Sequence, residues 1–265
     1  MRSRGRRAPG RHDRDAGGPR ELLEGKQALR EEIWSKLRAA RVARFPGVEN
    51  RIPNFVGAEA AAARLRRTSL WAQARTLKCN PDSPQRPVRA AALQDGKLVA
   101  MAVPRLASEQ PFFLLDPREL SMSARAASSI RGASGAGRTV DFDALDPVDL
   151  VVTGCVAVGE DGARLGKGGG FSDLELAIAT EAGLVGPKTR VVTTVHEIQV
   201  LPAGAIPVTA HDVRVDMIVT PDRVIRCPRR GRARASIRWD ELTEEKIASI
   251  PVLRRLARLR SRSES

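Results

Sequence analysis

The sequence has no tyrosine, and its aromatic residues make up only 3% of 265 positions. Platforms on which single-stranded bases stack are therefore scarce. Long apolar runs are missing as well. Nothing approaches the roughly 20 residues that cross a bilayer, and residues 1–20 lack the apolar stretch of a secretory leader. Cysteine occurs three times, at Cys79, Cys155 and Cys227, widely spaced and without a CxxC pair. That usage argues against a zinc site or a disulfide framework and fits a reducing, cytoplasmic setting. No Ser-His-Asp or Cys-His grouping stands out, so the residue inventory gives no support to covalent nucleophilic catalysis.

What the chain has in excess is positive charge, +14 overall. Its position matters more than its sum. Residues 1–20 carry seven Arg against two Asp, and residues 222–265 carry thirteen basic against six acidic side chains. Only +2 remains for residues 21–221. Of 45 basic residues 38 are Arg, a preference that GC-rich codon usage produces unaided. Nucleic acid is thus expected as a partner only through the basic ends, with salt-dependent phosphate contacts. No membrane partner is expected.

The length suits one substantial α/β domain or two small ones. Residues 1–20 read as a disordered basic tail, residues 21–226 as one α/β domain, and residues 227–265 as a basic extension with a short helix. Leu29, Ile33, Leu37 and Ala40 recur at helical spacing, predicting a helix over residues 21–44 that Pro46-Gly47 ends. A second helix is expected over residues 58–74. Residues 88–93 and 98–103 read as strands joined by a turn at Asp95-Gly96, with another strand at 112–115. The run DLVVTGCVAV, residues 149–158, is the strongest strand signal, as for a central strand covered on both faces. A helix over 172–182 and strands over 190–195, 217–220 and 224–226 follow. A last helix over 243–250 is expected to stop at Pro251. Strand, loop, helix, strand is the order of a mostly parallel sheet with helices on both faces, a three-layer α/β fold.

The informative segment runs Gly162-Ala163-Arg164-Leu165-Gly166-Lys167-Gly168-Gly169-Gly170-Phe171-Ser172-Asp173, between the best strand and a helix. Glycines at 166, 168, 169 and 170 let a backbone wrap closely around an anion. Their N–H groups and the following helix end can cradle phosphate. Arg164 and Lys167 add full positive charge, and Asp173 can hold a divalent cation against the same phosphates. A flexible turn is the alternative for the glycines alone. The spacing fits neither a Walker loop nor a dinucleotide fingerprint.

Arg-Leu-Gly-x-Gly-x-Gly, two further positions and Asp resemble the signature of 5-formyltetrahydrofolate cyclo-ligases, also called methenyltetrahydrofolate synthetases. Two more segments agree in order. Lys26-Gln27-Ala28-Leu29-Arg30 is similar to the family's Lys-x-x-Leu-Arg, and residues 206–216, with Asp212, are similar to the segment carrying a second magnesium-associated Asp. The resemblance implies a NagB/RpiA-like fold and an enzyme that uses ATP and Mg²⁺ to close 5-formyltetrahydrofolate to 5,10-methenyltetrahydrofolate. It implies ATP contacts from Lys26, Arg30, Arg164, Leu165, Gly166, Lys167, Gly168, Gly169, Gly170 and Phe171, with Arg164 and Lys167 catalytic. Asp173 and Asp212 would hold Mg²⁺, and Glu59 and Phe171 would face a reduced folate. An ordinary solvated helix face is the alternative for Lys26 and Arg30, and a loop-edge Asp for Asp212. His196-Glu197 follows a strand end, where a structural, hydrogen-bonding His is the alternative to a site residue.

Typical members carry Tyr-Tyr-Asp after the last glycine, where this chain has Phe171-Ser172-Asp173. Phe171 keeps a flat face but no hydroxyl, and Ser172 loses the ring. The passage is closer to a divergent branch that includes the methenyltetrahydrofolate synthetase domain-containing proteins. A nucleotide-holding regulatory or scaffold protein without turnover is therefore the second reading, and an RNA-associated protein acting through its Arg-rich ends the third.

Overall fold

The computed structural model describes residues 18–209, 212–228 and 235–263. Most of the predicted basic tail, residues 1–17, lies outside the described residues, as do Ala210 and His211. The chain begins with α1 (Pro19–Ala39), α2 (Ala58–Arg66), α3 (Ser69–Gln73), β1 (Thr76–Cys79) and α4 (Arg86–Gln94). Next come β2 (Leu98–Ala102), β3 (Phe112–Leu115), α5 (Ala124–Ala127), α6 (Ile130–Ala136) and β4 (Arg138–Val140). Then follow β5 (Leu150–Thr153), β6 (Ala157–Gly159), β7 (Arg164–Leu165), α7 (Phe171–Glu181), β8 (Arg190–Thr194) and β9 (Val200–Leu201). The chain continues with β10 (Met217–Val219), β11 (Val224–Arg226), α8 (Glu244–Ser249) and α9 (Pro251–Ser263).

Eight strands form one mixed sheet in the order β11-β10-β8-β5-β1-β2-β3-β4. The segment from β10 to β2 is parallel; β11 and β3 run against it on either side, and β4, antiparallel to β3, returns to its direction. Alternate residues of β5 enter different cores. Leu150 and Val152 pack with Leu65, Val88 and Leu93 of α2 and α4, while Val151 packs with Leu176 and Ile178 of α7. Helices therefore cover both faces, the expected three-layer α/β arrangement. A second sheet, β7-β6-β9, packs its Val156, Ala157 and Leu165 side against Ile33, Trp34 and Leu37 of α1. That contact brings the amino-terminal helix to the glycine loop.

The expected single strand over 149–158 is two strands in two sheets. The chain leaves the large sheet at Gly154, where a Cβ would meet Gln85 Oε1 and Ile52 Cγ2 at 2.8 Å. Residues 88–93 are helical rather than extended. Pro87 sits in the first turn, three alanines follow, and the buried set Val88, Arg89, Ala92, Leu93 describes one helical face. Gly96, at φ +74°, follows that helix as a carboxy-terminal cap and not as a hairpin turn.

Smaller differences have local causes. The first helix stops at Ala39, ahead of Pro46, and Arg41 turns the chain at φ +57°. The helix expected over 58–74 breaks at Thr68, whose Oγ1 accepts from Trp71 N and restarts it. The helix expected over 243–250 is α8 and ends ahead of Pro251, but Pro251 then opens a further helix, α9, since its fixed φ suits a first turn. Strands β1 and β4 and helices α5 and α6 have no counterpart in the sequence reading. Beyond residue 226, Ile237, Ile250, Val252 and Leu253 are buried in the same core as α7.

Candidate functional site

From β1 the chain passes through α4 to β2 on one side, whereas β5 lies on the other side of β1. Their carboxy-terminal ends diverge there, and such a switch point opens a crevice. A cavity occupies this place. It is lined by Asn80 and Asp82 after β1, Gly154 after β5, and Gly166, Lys167, Gly169, Gly170, Phe171 and Ser172 of the glycine loop and α7. Ile52, Val103 and Leu106 give it apolar wall.

Glycine is required at the loop's two sharpest places. Gly168 has φ +102°, and Gly170, at φ +66°, caps the amino end of α7. The positive end of an 11-residue helix thus opens on the loop. Arg30, from α1, lies across the loop and its Nε donates to Gly166 O at 2.8 Å. Arg164 is almost wholly buried, with its side chain 2% exposed. Its Nη2 donates to Asp173 Oδ1, while Nε and Nη1 are buried without a partner. A buried guanidinium with two unanswered donors is costly unless an anion completes it.

A second cavity shares Gly170 and Asp173 with the first and adds Thr209, Asp212, Arg238 and Lys246. Lys26 Nζ lies 3.0 Å from Asp212 Oδ2, which also accepts from Thr209 N at 2.9 Å. Three of the four predicted cations therefore face a carboxylate: Lys26 with Asp212, Arg164 with Asp173, and Lys167 with Asp82 at 3.8 Å. Lys26, Arg30, Arg164, Lys167, Asp173 and Asp212 are gathered from three distant stretches of chain around Gly166–Gly170.

Two predicted site residues stand apart. Leu165 is 1% exposed and packs with Ile33 and Leu37, because β7 turns it into the core beneath the loop. Glu59 is exposed on α2 and borders a different cavity, with Phe45, Asn54 and Arg86. His196 caps the short helical turn Glu197–Gln199 and meets Phe55 edge-on at 6.0 Å, a structural placement.

Several groups at the site were not foreseen. Lys246 Nζ, from α8, stands over the Phe171 ring at 5.9 Å and reaches the cavity holding Asp212. It sits in a stretch whose basic character gave no local signal. Beneath the first cavity, Lys78 of β1 pairs with Glu175 of α7, both buried. Lys78 Nζ also donates to Asn80 Oδ1 at 3.3 Å, Asn80 Nδ2 to Ser172 Oγ at 3.1 Å, and Ser172 Oγ meets Thr153 Oγ1 at 3.1 Å. Ser172 thus ties the helix start to the ends of β1 and β5. Burial pushes the carboxyl groups of Asp82 and Glu175 up.

Among the described residues no group of three or more His, Cys, Asp or Glu is gathered to hold a metal alone, and no helix is long and apolar enough to cross a membrane. The carboxylates of Asp173 and Asp212 suit a hard cation that shares its ligands with phosphate oxygens and water.

Comparison with known proteins identifies the family and the fold. A methenyltetrahydrofolate synthase domain-containing protein of Mus musculus is 39% identical over 240 residues, covering 89% of this chain and 64% of its own length. The Homo sapiens protein of that name is 35% identical, with 90% and 63% covered. The chain thus spans less than two thirds of the length of either. The NMR structure of Aquifex aeolicus 5,10-methenyltetrahydrofolate synthetase superposes with a TM-score of 0.51 at 20% identity, over 82% of this chain and 99% of that one, a likeness of fold. The model of the 5-formyltetrahydrofolate cyclo-ligase family matches residues 23–221. The chain belongs to the 5-formyltetrahydrofolate cyclo-ligase family.

Proposed function

We propose that this chain is a cytoplasmic, ATP- and magnesium-dependent 5-formyltetrahydrofolate cyclo-ligase of one-carbon metabolism. The observation that carries the reading is the Arg164 guanidinium, buried with Nε and Nη1 unanswered beside a glycine loop at a helix amino end. Arg164 holds its charge beneath the loop, where it favours an anion bound above, and the open side of Gly166, where a Cβ would meet nothing within 4 Å, leaves room for a triphosphate.

In this reading Arg164 and Lys167 neutralise the transferring phosphoryl group, and Lys26 the rest of the triphosphate. Arg30, held on Gly166 O, keeps the loop in shape. Asp173 and Asp212 would hold Mg²⁺, which supplies charge neutralisation across the phosphate oxygens. The folate formyl oxygen takes the γ-phosphoryl group, nitrogen 10 attacks the activated carbon, and phosphate leaves. Such chemistry needs positioning and fixed charge more than a protein nucleophile. Phe171 offers a flat face toward the reduced folate.

The test is direct. The chain is given 5-formyltetrahydrofolate with Mg-ATP, and formation of the methenyl chromophore is followed. Product that depends on both supports the proposal; ATP binding without product sinks it in favour of a nucleotide-holding regulatory or scaffold protein. One feature favours that second reading: Ser172 Oγ is engaged by Asn80 and Thr153 where other members carry a tyrosine.

A further inference from the structure

We infer that Lys246, on the carboxy-terminal extension, is a phosphate-binding residue of the nucleotide site, joining cations otherwise drawn from α1 and the glycine loop. The inference rests on the ATP-binding part of the cyclo-ligase reading and extends it, because the residues matched by the family model end at 221.

The extension is built to hold Lys246 in place. Ile237 and Ile250 are buried on either side of α8, in the core that also holds Leu174 and Ala177 of α7. Leu242 and Ile247 pack on the same core, and Ile237 N donates to Glu181 Oε1, at the far end of α7, at 2.7 Å. Thr243 caps α8, its Oγ1 accepting from Lys246 N at 3.2 Å. With Ile247 and Ile250 held by the core, the Lys246 side chain reaches the amino end of α7.

There its ammonium stands where a cation is disfavoured. Nζ lies 3.2 Å from where a Cβ on Gly170 would stand, and Gly170 opens α7 with no side chain capping the first N–H groups. A positive charge beside the positive end of an 11-residue helix is repelled. The cavity's own acids do not answer it. Its three carboxylates are each engaged by another cation: Asp173 by Arg164, Asp212 by Lys26 and Glu241 by Arg238. Among the described residues Lys246 forms no ion pair, and the Phe171 ring at 5.9 Å is at the outer limit of a cation–π contact. An anion between the ammonium and the α7 amides resolves the conflict, and a phosphate group fits that description. It would lie in the same cavity as Asp173 and Asp212, the acids assigned to Mg²⁺.

Two variants of the full chain test the assignment. Lys246→Met keeps an unbranched apolar stem without charge, and Lys246→Arg keeps the charge. A non-hydrolysable ATP analogue with Mg²⁺ and, separately, 5-formyltetrahydrofolate are titrated calorimetrically into each, and melting temperatures are recorded. Lys246→Met is expected to lose about tenfold in nucleotide affinity, as loss of one charge-assisted phosphate contact does, with folate affinity and melting temperature as in wild type. Lys246→Arg is expected to retain most of the nucleotide affinity, because phosphate is the anionic part of the analogue. Wild-type nucleotide affinity in Lys246→Met overturns the inference and leaves the cyclo-ligase reading intact. Equal losses in both variants, or a melting temperature that falls with affinity, also overturn it, because they make Lys246 a prop of the loop. Wild type that binds no nucleotide overturns both.

Discussion

Lys26 Nζ and Asp212 Oδ2 stand 3.0 Å apart, although one belongs to the first helix and the other to a loop 186 residues later. The two side chains are 15% and 23% exposed, so the cost of desolvating both charges offsets much of their attraction and the pair adds little net stability. Its worth lies in where it holds the ammonium. Lys26→Ala is expected to leave the melting temperature nearly unchanged and to weaken Mg-ATP about ten- to a hundredfold, as loss of one charge-assisted phosphate contact does. Calorimetric titration checks it, and unchanged ATP affinity would remove Lys26 from the site.

Arg164 makes a sharper case, because its two unanswered donors are fixed in a fork. Lysine keeps the charge but not the fork. Arg164→Lys is expected to fold and to lose roughly tenfold or more in affinity for the triphosphate. Inorganic tripolyphosphate as competitor distinguishes loss of phosphate contact from loss of base or sugar contact.

Lys78 and Glu175 form a buried pair under the site. Removing one partner strands the other. Lys78→Met is expected to cost about 3–5 kcal/mol in denaturant unfolding, while Lys78→Met with Glu175→Leu recovers most of it. A double variant no better than the single would show that the pair is not coupled.

Much of the layered fold was legible because its parallel strands, covered on both faces, are apolar runs: residues 190–194 and 217–219 needed no context. The failures share a cause. β1 reads Thr-Leu-Lys-Cys, and its lysine hides the strand until Glu175 of α7 comes to meet it. Residues 88–93 look extended from composition alone, and only the spacing of their buried side chains reveals a helix. The glycine loop was legible as a phosphate cradle from residue types. That Arg30 braces the loop, that Glu59 lies elsewhere and that Lys246 reaches in depend on packing between distant segments.

Two surface clasps set a pH response. Burial alone would raise Asp161, but hydrogen bonds from Arg214 and Ala163 N hold it below the usual carboxylate range. Burial likewise opposes, and Arg255 with Phe142 N overcomes, to lower Asp141. A carboxylate depressed in the folded state adds stability above its unfolded value, about 3.9, and loses it as pH falls through the folded one. Urea unfolding from pH 7 to pH 3 is expected to show Asp161→Asn most penalised near neutrality, with the gap to wild type closing below about pH 4. A constant gap would assign the loss to packing.

The closing helix can be tested in the core. Leu253 has no exposed surface and packs with the α7 side of the sheet. Leu253→Ala is expected to cost about 2–5 kcal/mol, read as a lower denaturation midpoint. An unchanged midpoint would show α9 to be an ornament.

Burial of Ile250, Val252 and Leu253 against the α7 face has a consequence for biogenesis. A nascent chain still short of Leu253 leaves a greasy panel uncovered on its largest sheet. Folding of this domain therefore waits for the segment that carries Leu253. A premature stop ahead of Ile250 would yield a product that chaperones and proteases recognise as incomplete, even with every phosphate-facing residue of the glycine loop already made.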